Sequence, residues 1–451
     1  MNMFQDKKIS ICFYSFLLII TVMAACKKES PFQYRSKPQI IIHGSDNRLN
    51  NSEVHFVKDT VYVFATDITI PNGHTLLIDA GTLIKANNIT ITIEAGGKIE
   101  ATGSVDEPIV FTANSIKGHA GITEFEGSWR GIQIFGNASG QSSGTLSYVR
   151  IEFAGSSAYY LSSAILLSNV SSETVLNNIQ VSYSFATPSF TFTGGNCNAS
   201  NLVSYASAGA DFILQKGYKG MLQNLLAYRH PDYAEGEPDG MYIRDTSTSP
   251  VISNLTMLGP DLKYGINPSY IAGLPSKRAG LITEGGCKFH IRNSLLYGYP
   301  AKSFINRTAY YGYGYFIDGT NTALSLNSGE SELSYSIIYH ADTSVAFYLP
   351  PNVYPPYTSA DLKDFLLQPK FNNSLVTDSS KFMFTDPYNY FSGLPNPLPL
   401  TGSFLLTGAD FNDPNYADPF FNKVNYRGAL GADNWMQGWV NFIPLQTDYN
   451  N

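Results

Sequence analysis

Apolar and polar residues alternate along this chain in runs of four to eight that turn corners at glycine, asparagine or an acidic residue. That period of two, broken every few residues, predicts short strands and excludes long amphipathic helices. Residues 76–86 (LLIDAGTLIKA) match residues 91–101 (ITIEAGGKIEA) at five of eleven positions, including Ala80/Ala95 and Gly81/Gly96. Each copy reads as a short strand, an acidic-Ala-Gly bend and another short strand.

A longer series follows, in which one residue leads into each apolar strand. Its leading residues are Tyr148, Asn178, Asn201, Asn224, Asn254, Asn293 and Tyr335, spaced by 30, 23, 23, 30, 39 and 42 residues. The basic period is 23, with loops inserted in some turns. Stacked supersecondary coils produce such a period, because each coil buries its apolar face only against its neighbours. The Leu lattice of leucine-rich repeats is missing. The expected fold is therefore all-β, a right-handed parallel β-helix with inserted loops. Two readings of the recurring Asn stand open: amides stacked in a hydrogen-bonded ladder, or simple turn formers at the start of each strand.

The ends differ from the middle. Residues 11–23 form an apolar run behind Lys7 and Lys8, too short to span a bilayer but suited to a secretory signal, and they lead into Val22, Met23, Ala24, Ala25 and Cys26. This resembles a lipoprotein cleavage site, so residues 1–25 are expected to leave as a signal peptide and Cys26 to be lipidated. Acyl chains contribute roughly 0.8 kcal/mol per buried methylene, enough for a lasting anchor. Residues 26–38 then form a flexible tether, 39–340 the β-helix with an N-terminal cap, and 341–451 irregular C-terminal coils and an aromatic, Pro-rich cap in which Trp435 and Trp439 take part. The expected address is the outer membrane, lipid-anchored, on the cell surface, with the periplasmic face as the other option.

Charge narrows the partners. Lys and Arg number 29 against 36 Asp and Glu, a net charge of −7, and only 14% of residues are charged. The cations are scattered, which argues against nucleic acid. With Cys12 in the signal and Cys26 lipidated, Cys197 and Cys287 remain, either paired or as two buried thiols. No Cys/His cluster supports zinc, so no cofactor is expected beyond a calcium ion at one acidic loop. That loop holds Asp232, Glu235, Glu237 and Asp239, followed by Arg244 and Asp245. Carboxylates at this density suit the six to eight oxygens of Ca²⁺, although the spacing matches no EF-hand. A solvated loop is the plain alternative.

Several phrases in order resemble a family of surface or secreted parallel β-helix lipoproteins of Bacteroidetes type: DAGTLIK at 79–85, EAGGKIEATG at 94–103, SWRGIQIFG at 128–136, VRIEFAG at 149–155, FTGG at 192–195, GYKG at 217–220, TSPVISNLT at 248–256, and YRGALGADNW at 426–435. The resemblance implies a parallel β-helix on the cell surface and says little about activity. Relatives carry paired Asp residues before FTGG and before the Gly-Tyr phrase; here those stretches read ATPSF and AGADF, and only Asp211 survives.

Enzymatic β-helices are mostly polysaccharide lyases and pectin-type hydrolases. The hydrolase phrases Asn-Thr-Asp, Asp-Asp and Gly-His-Gly are absent, as are GxSxG and a phosphate-cradling loop. Thirty Tyr and three Trp can stack on sugar rings or can pack loops onto the coil walls. The expected function is a non-catalytic binding or adhesion module for a polysaccharide or a surface protein. A carbohydrate-active lyase or hydrolase is the alternative, and a structural envelope protein a third. Convergence of Asp211, Asp232, Glu235, Glu237, Asp239, Arg244 and Asp245 on one sheet face would favour the enzyme.

Overall fold

The side chains that alternate along each run separate cleanly into core and surface. In Ile68–Ile70, Thr90–Ile93 and Gly131–Phe135 the isoleucines are buried while Thr69, Thr92 and Gln133 face out. The structure is a computed structural model that describes residues 37–114, 129–137, 140–155, 163–184, 188–230, 239–259, 279–297, 303–305, 308–310, 312–340, 342–353, 357–389 and 394–449. The signal segment, Cys26 and nearly all of the expected tether lie outside the described residues, as do Asp232, Glu235 and Glu237.

Among the described residues, two long sheets form the walls, one of seventeen strands (sheet A) and one of ten (sheet B). Every neighbouring pair in the two is parallel, so the chain winds as a right-handed parallel β-helix, the hand that β-crossovers take. Thr75 pairs with Lys98, and Asn177 with Ser200 and then Gln223, each 23 residues on. The two early copies, offset by fifteen residues, are two thirds of a coil apart, and they therefore occupy different walls: Thr75–Ile78 lies in sheet A and Thr90–Ile93 in sheet B. Gln39–Ile42, Glu53–Phe56 and Val61–Phe64, expected to close the front, are the first rungs of sheet A.

All seven leading residues of the long series share one backbone state. Tyr148, Asn178, Asn201, Asn224, Asn254, Asn293 and Tyr335 have φ between 49 and 58°. Each is the corner at which sheet A folds from one wall to the next, as at Asn178 inside Val175–Ser182 or at Asn293 between His290–Arg292 and Leu295–Tyr297. Asn tolerates this left-handed state better than other side chains. The ladder is also present over three coils: Asn201 Nδ2 donates to Asn178 Oδ1 at 3.4 Å and Asn224 Nδ2 to Asn201 Oδ1 at 3.0 Å. It stops at Asn254, whose amide turns to the carbonyls of Tyr426 and Gly428.

The core is a column of Ile, Leu, Val and Phe along the axis, with Trp129 fully buried within it. Past residue 340 the ladder continues to Phe347–Tyr348 in sheet B and Ser374–Val376 in sheet A. Helix α1 (Thr320–Ser328) packs Ala323 and Leu326 against the core. Helix α2 (Ser359–Leu366) covers it beside the last strand of sheet B. Thr358 and Asp361 form a capping box, and Leu362 and Leu366, four apart, face the core.

Residues 404–446 do not close the end of the solenoid. They run back along the outside of sheet A. Phe411, Tyr416 and Phe421 pack beside Met221 and Val251, while Trp439 and Phe442 pack on Tyr148, Tyr205 and Tyr228. Gly438 lies against Val105, far toward the front. Trp439, expected in a cap, is thus a flank anchor, and Trp435 stacks on it. No described helix is long and apolar enough to cross a membrane.

Candidate functional site

The outward row of sheet B can be read rung by rung. Thr69, Thr92, Gln133, Leu166, Thr191 and Ile213 stand in register, and Tyr242, Ile282, Phe316 and Tyr348 continue the row. The first six rungs form the floor of an open groove of about 660 Å³. Hydroxyls and amides dominate this floor because strand propensity admits Thr freely on a solvent-facing pleat. Where the row turns aromatic, Tyr242, Tyr313, Phe316 and Tyr348 pack together, Tyr313 on Tyr348 at 4.4 Å.

One border of the groove is a row of polar side chains. Gln215 Nε2 donates to Thr193 Oγ1 at 3.1 Å, and Gln215 Oε1 accepts from Arg244 Nε at 2.7 Å and from Arg244 Nη2. The guanidinium of Arg244 also lies 5.2 Å over the ring of Tyr242. Lys216 follows Gln215 in the same border, and its N–H donates to Asp245 Oδ2 at 2.8 Å. Arg130 stands at the opposite border, bonded to Asp67 at 3.2 Å and to the carbonyl of Asn88. Beyond Arg244 the border carries Glu284, in register with Asp318 on the next strand. The hydroxyl of Tyr242 bonds to Glu284, and burial pushes its pKa up.

Of the residues singled out from the sequence, the described ones, Asp211, Asp239, Arg244 and Asp245, do not all meet on this face. Asp211 and Asp239 precede the sheet B strands Phe212–Gln215 and Met241–Ile243, whereas Arg244 and Asp245 follow the second of them. Asp211 is fully buried; its Oδ2 accepts from Arg229 Nε at 2.9 Å and its Oδ1 from Ser204 Oγ at 2.6 Å. Arg229 also donates to the carbonyls of Ser207, Gly209 and Asp239. Burial outweighs the guanidinium and raises the Asp211 carboxyl to about 6. Asp239 is buried too, and its Oδ1 accepts from Ala279 N. Asp211 and Arg229 are therefore a structural pair, and Asp245 a turn residue. Among the described residues no group of three or more His, Cys, Asp or Glu is placed to hold a metal.

Cys197 and Cys287 are separate buried thiols, both pushed up to about 12 by burial, so the disulfide option falls away. Several of the described tyrosines serve packing: Tyr205, Tyr218, Tyr228, Tyr315 and Tyr416 are fully buried. Sequence reasoning missed Arg130, Lys216, Glu284 and Asp318, which are scattered over 189 positions and gathered only by the coil register. The signal that could have found them is their place two or three residues after, or three before, the outward residue of a repeat strand.

The family model of the pectate-lyase-like β-helix domain matches residues 48–142 and 136–306. No curated protein and no solved structure matches the chain. Matched over more than half its length by a model whose coils are the ones described above, the chain belongs to the pectate-lyase-like β-helix domain family.

Proposed function

We propose that the chain is a lipid-anchored outer-membrane protein of the cell surface whose β-helix binds a glycan without cleaving it. The observation that carries the binding is the groove on sheet B. It runs along the axis, its floor carries the hydroxyls of Thr69, Thr92 and Thr191 and the amide of Gln133, which match sugar hydroxyls, and it leads onto the half-buried rings of Tyr242 and Tyr348. The anchor rests on the sequence, where small residues precede Cys26 behind a secretory run, and on the resemblance to Bacteroidetes-type surface lipoproteins. A surface protein is the other partner this address allows.

Chemistry for cleavage is sparse in this groove, where Asp67, at the border, is the sole lining carboxylate among the described residues and is bonded to Arg130. One observation supports a second reading as a lyase or hydrolase: Glu284 and Asp318 stand on adjacent strands, next along the border from Arg244. Calcium bound at the 232–239 loop belongs to the same proposal and is tested by the same assay.

The test is a thermal-shift scan of the protein against a polysaccharide panel, with and without Ca²⁺. A ligand at one hundred times its dissociation constant adds about 2.7 kcal/mol. Gln133→Trp fills the floor and is expected to abolish the shift, while Val175→Trp, at an exposed position on sheet A, leaves it intact. Equal shifts in both variants would place binding elsewhere. Shortened or unsaturated products, lost in Glu284→Gln, would establish the enzyme.

A further inference from the structure

We infer that residues 409–425 form a lid on sheet A, shut in this structure, which opens as one unit about a pinned base and uncovers the strip of wall that holds Met221, Val251 and Arg292; the inference does not depend on the glycan-binding reading. The first ground is that the lid is closed on itself. Ala409 N donates to the Asn425 carbonyl at 3.1 Å, so its two ends meet. Its other backbone-to-backbone bonds, from the N–H groups of Tyr416, Ala417 and Phe421, also stay inside it, and none of its residues is in a strand. Of its seventeen residues only Phe411, Tyr416 and Phe421 are buried, and their rings pack together, Tyr416 on Phe421 at 5.1 Å and on Phe411 at 6.3 Å. Ends held together and side chains packed on one another are the build of an Ω-loop.

The second ground is that the base is pinned where the lid is not. Arg427 ties it across, its Nε donating to the Thr407 carbonyl at 3.0 Å, its Nη2 to Phe404 at 3.2 Å and its N–H to Leu405 at 2.7 Å. Asn254 Nδ2 holds the carbonyls of Tyr426 and Gly428, Gly428 N donates to the Asn293 carbonyl, and Ala429 N to Thr256 Oγ1. The Asn ladder thus ends at Asn254 because that amide fixes the base. Gly408, with φ of 89°, stands between this base and the lid and supplies a free pivot.

The third ground is that each wall side chain gripping the lid already has a second partner in the wall. Gln223 Nε2 donates to Asn422 and also to Asn254 Oδ1 at 3.1 Å. Asn293 Nδ2 donates to Asp410 and also to Ser253 Oγ at 3.1 Å. Arg292 bonds Asp410 and Asp413 and also Glu332, at 2.9 Å from its Nε. Opening therefore leaves no wall cation or amide donor stranded, and the vacated oxygens turn to water. Gln180, farther forward, bonds only to Asn441 among the described residues. The lid rings with Met221 and Val251 also form a cluster of their own, apart from the one that Trp439 and Phe442 join. The lid can leave while residues 436–446 stay, and the open wall then presents apolar Met221 and Val251 beside a cation, a surface withheld from other chains while the lid is shut.

Hydrogen exchange of the full protein, read by mass spectrometry, tests this. Peptides covering 409–425 are expected to exchange in one common step, with protection on the order of a hundredfold below that of Val251–Leu258 beneath them and of the segment 436–446. Asp410→Asn with Asp413→Asn loosens the grip of Arg292, which keeps Glu332. This variant is expected to speed exchange across the whole lid about tenfold, with the melting temperature and the exchange of 436–446 unchanged. Lid protection equal to that of the strand beneath, or a gradient of rates along 409–425, would overturn the inference in the native protein alone. Acceleration that spreads to 436–446 in the variant would overturn it too, since the strap would then move as one piece.

Discussion

Gln180 and Asn441, 261 residues apart, pair face to face: Gln180 Nε2 donates to the Asn441 carbonyl at 2.7 Å, and the Asn441 N–H donates to Gln180 Oε1 at 2.8 Å. Gln223 holds Asn422 in the same way at 2.7 and 2.8 Å, and Asn293 holds Asp410 at 3.0 and 2.8 Å. A side-chain amide offers a donor and an acceptor side by side, as a strand edge does, so each coil carrying one can seat an irregular segment by its backbone. The C-terminal segment is thereby fixed at three points along the solenoid, with Trp439 and Phe442 burying apolar area between them.

Gln180→Ala leaves the N–H and carbonyl of a buried residue without partners, at about 1–3 kcal/mol for a buried group so orphaned. Because the three seats are separate, the loss is expected to be local. Hydrogen exchange should speed up over residues 438–443 and stay unchanged at 409–411. Uniform acceleration across the whole segment would mean that the seats act as one unit.

Much of the fold was legible because the repeat writes itself into the sequence. A 23-residue period and alternating strands are local signals, and one coil's pattern serves for its neighbours. The seating of residues 404–446 was not legible, since a Pro-rich, aromatic segment with no period carries no mark of which wall it covers. Gln180 and Gln223 read as ordinary strand residues until their partners, 261 and 199 positions away, are in view. The groove was hidden for a related reason. Lys216 and Arg244 look isolated in the chain and become neighbours only through the register of sheet B, while Asp239 and Arg244, close in sequence, lie at opposite ends of one strand.

At Asn201 the corner and the ladder make separable contributions. Asn201→Gly keeps the left-handed backbone and loses two amide bonds, whereas Asn201→Leu loses both and strains the corner. The left-handed state costs a branched or long side chain roughly 1–2 kcal/mol. Leu is therefore expected to destabilise by about that much more than Gly, measured by chemical denaturation. Equal losses would show that the ladder alone matters.

Arg229→Met leaves Asp211 buried beside no cation and removes the donor to three carbonyls. Breaking a buried ion pair from one side costs about 3–5 kcal/mol. Arg229→Met with Asp211→Leu removes the stranded carboxyl and is expected to recover part of the loss, the orphaned carbonyls accounting for the rest. A double variant no more stable than Arg229→Met would show that the carbonyl bonds, and not the ion pair, are what the coil depends on.

His230, next to that arginine, is buried, and burial lowers its pKa from 6.5 to about 3. The unfolded chain binds a proton near pH 6.5 that the folded chain refuses until about 3, so this group's contribution is full above 6.5 and is lost as pH falls through that window. Asp211 works in the opposite sense. Its carboxyl is raised from 3.8 to about 6, so the folded state holds a proton longer and stability falls as pH rises between those values. Over pH 4 to 6 the two slopes, each at most about 1.4 kcal/mol per pH unit, offset one another. His230→Gln removes one of them. Unfolding free energies measured from pH 4 to 6.5 are expected to show the native protein gaining on the variant as pH rises, by up to about 1.4 kcal/mol per unit. Parallel curves would mean that His230 takes up its proton in the folded state as readily as in the unfolded chain.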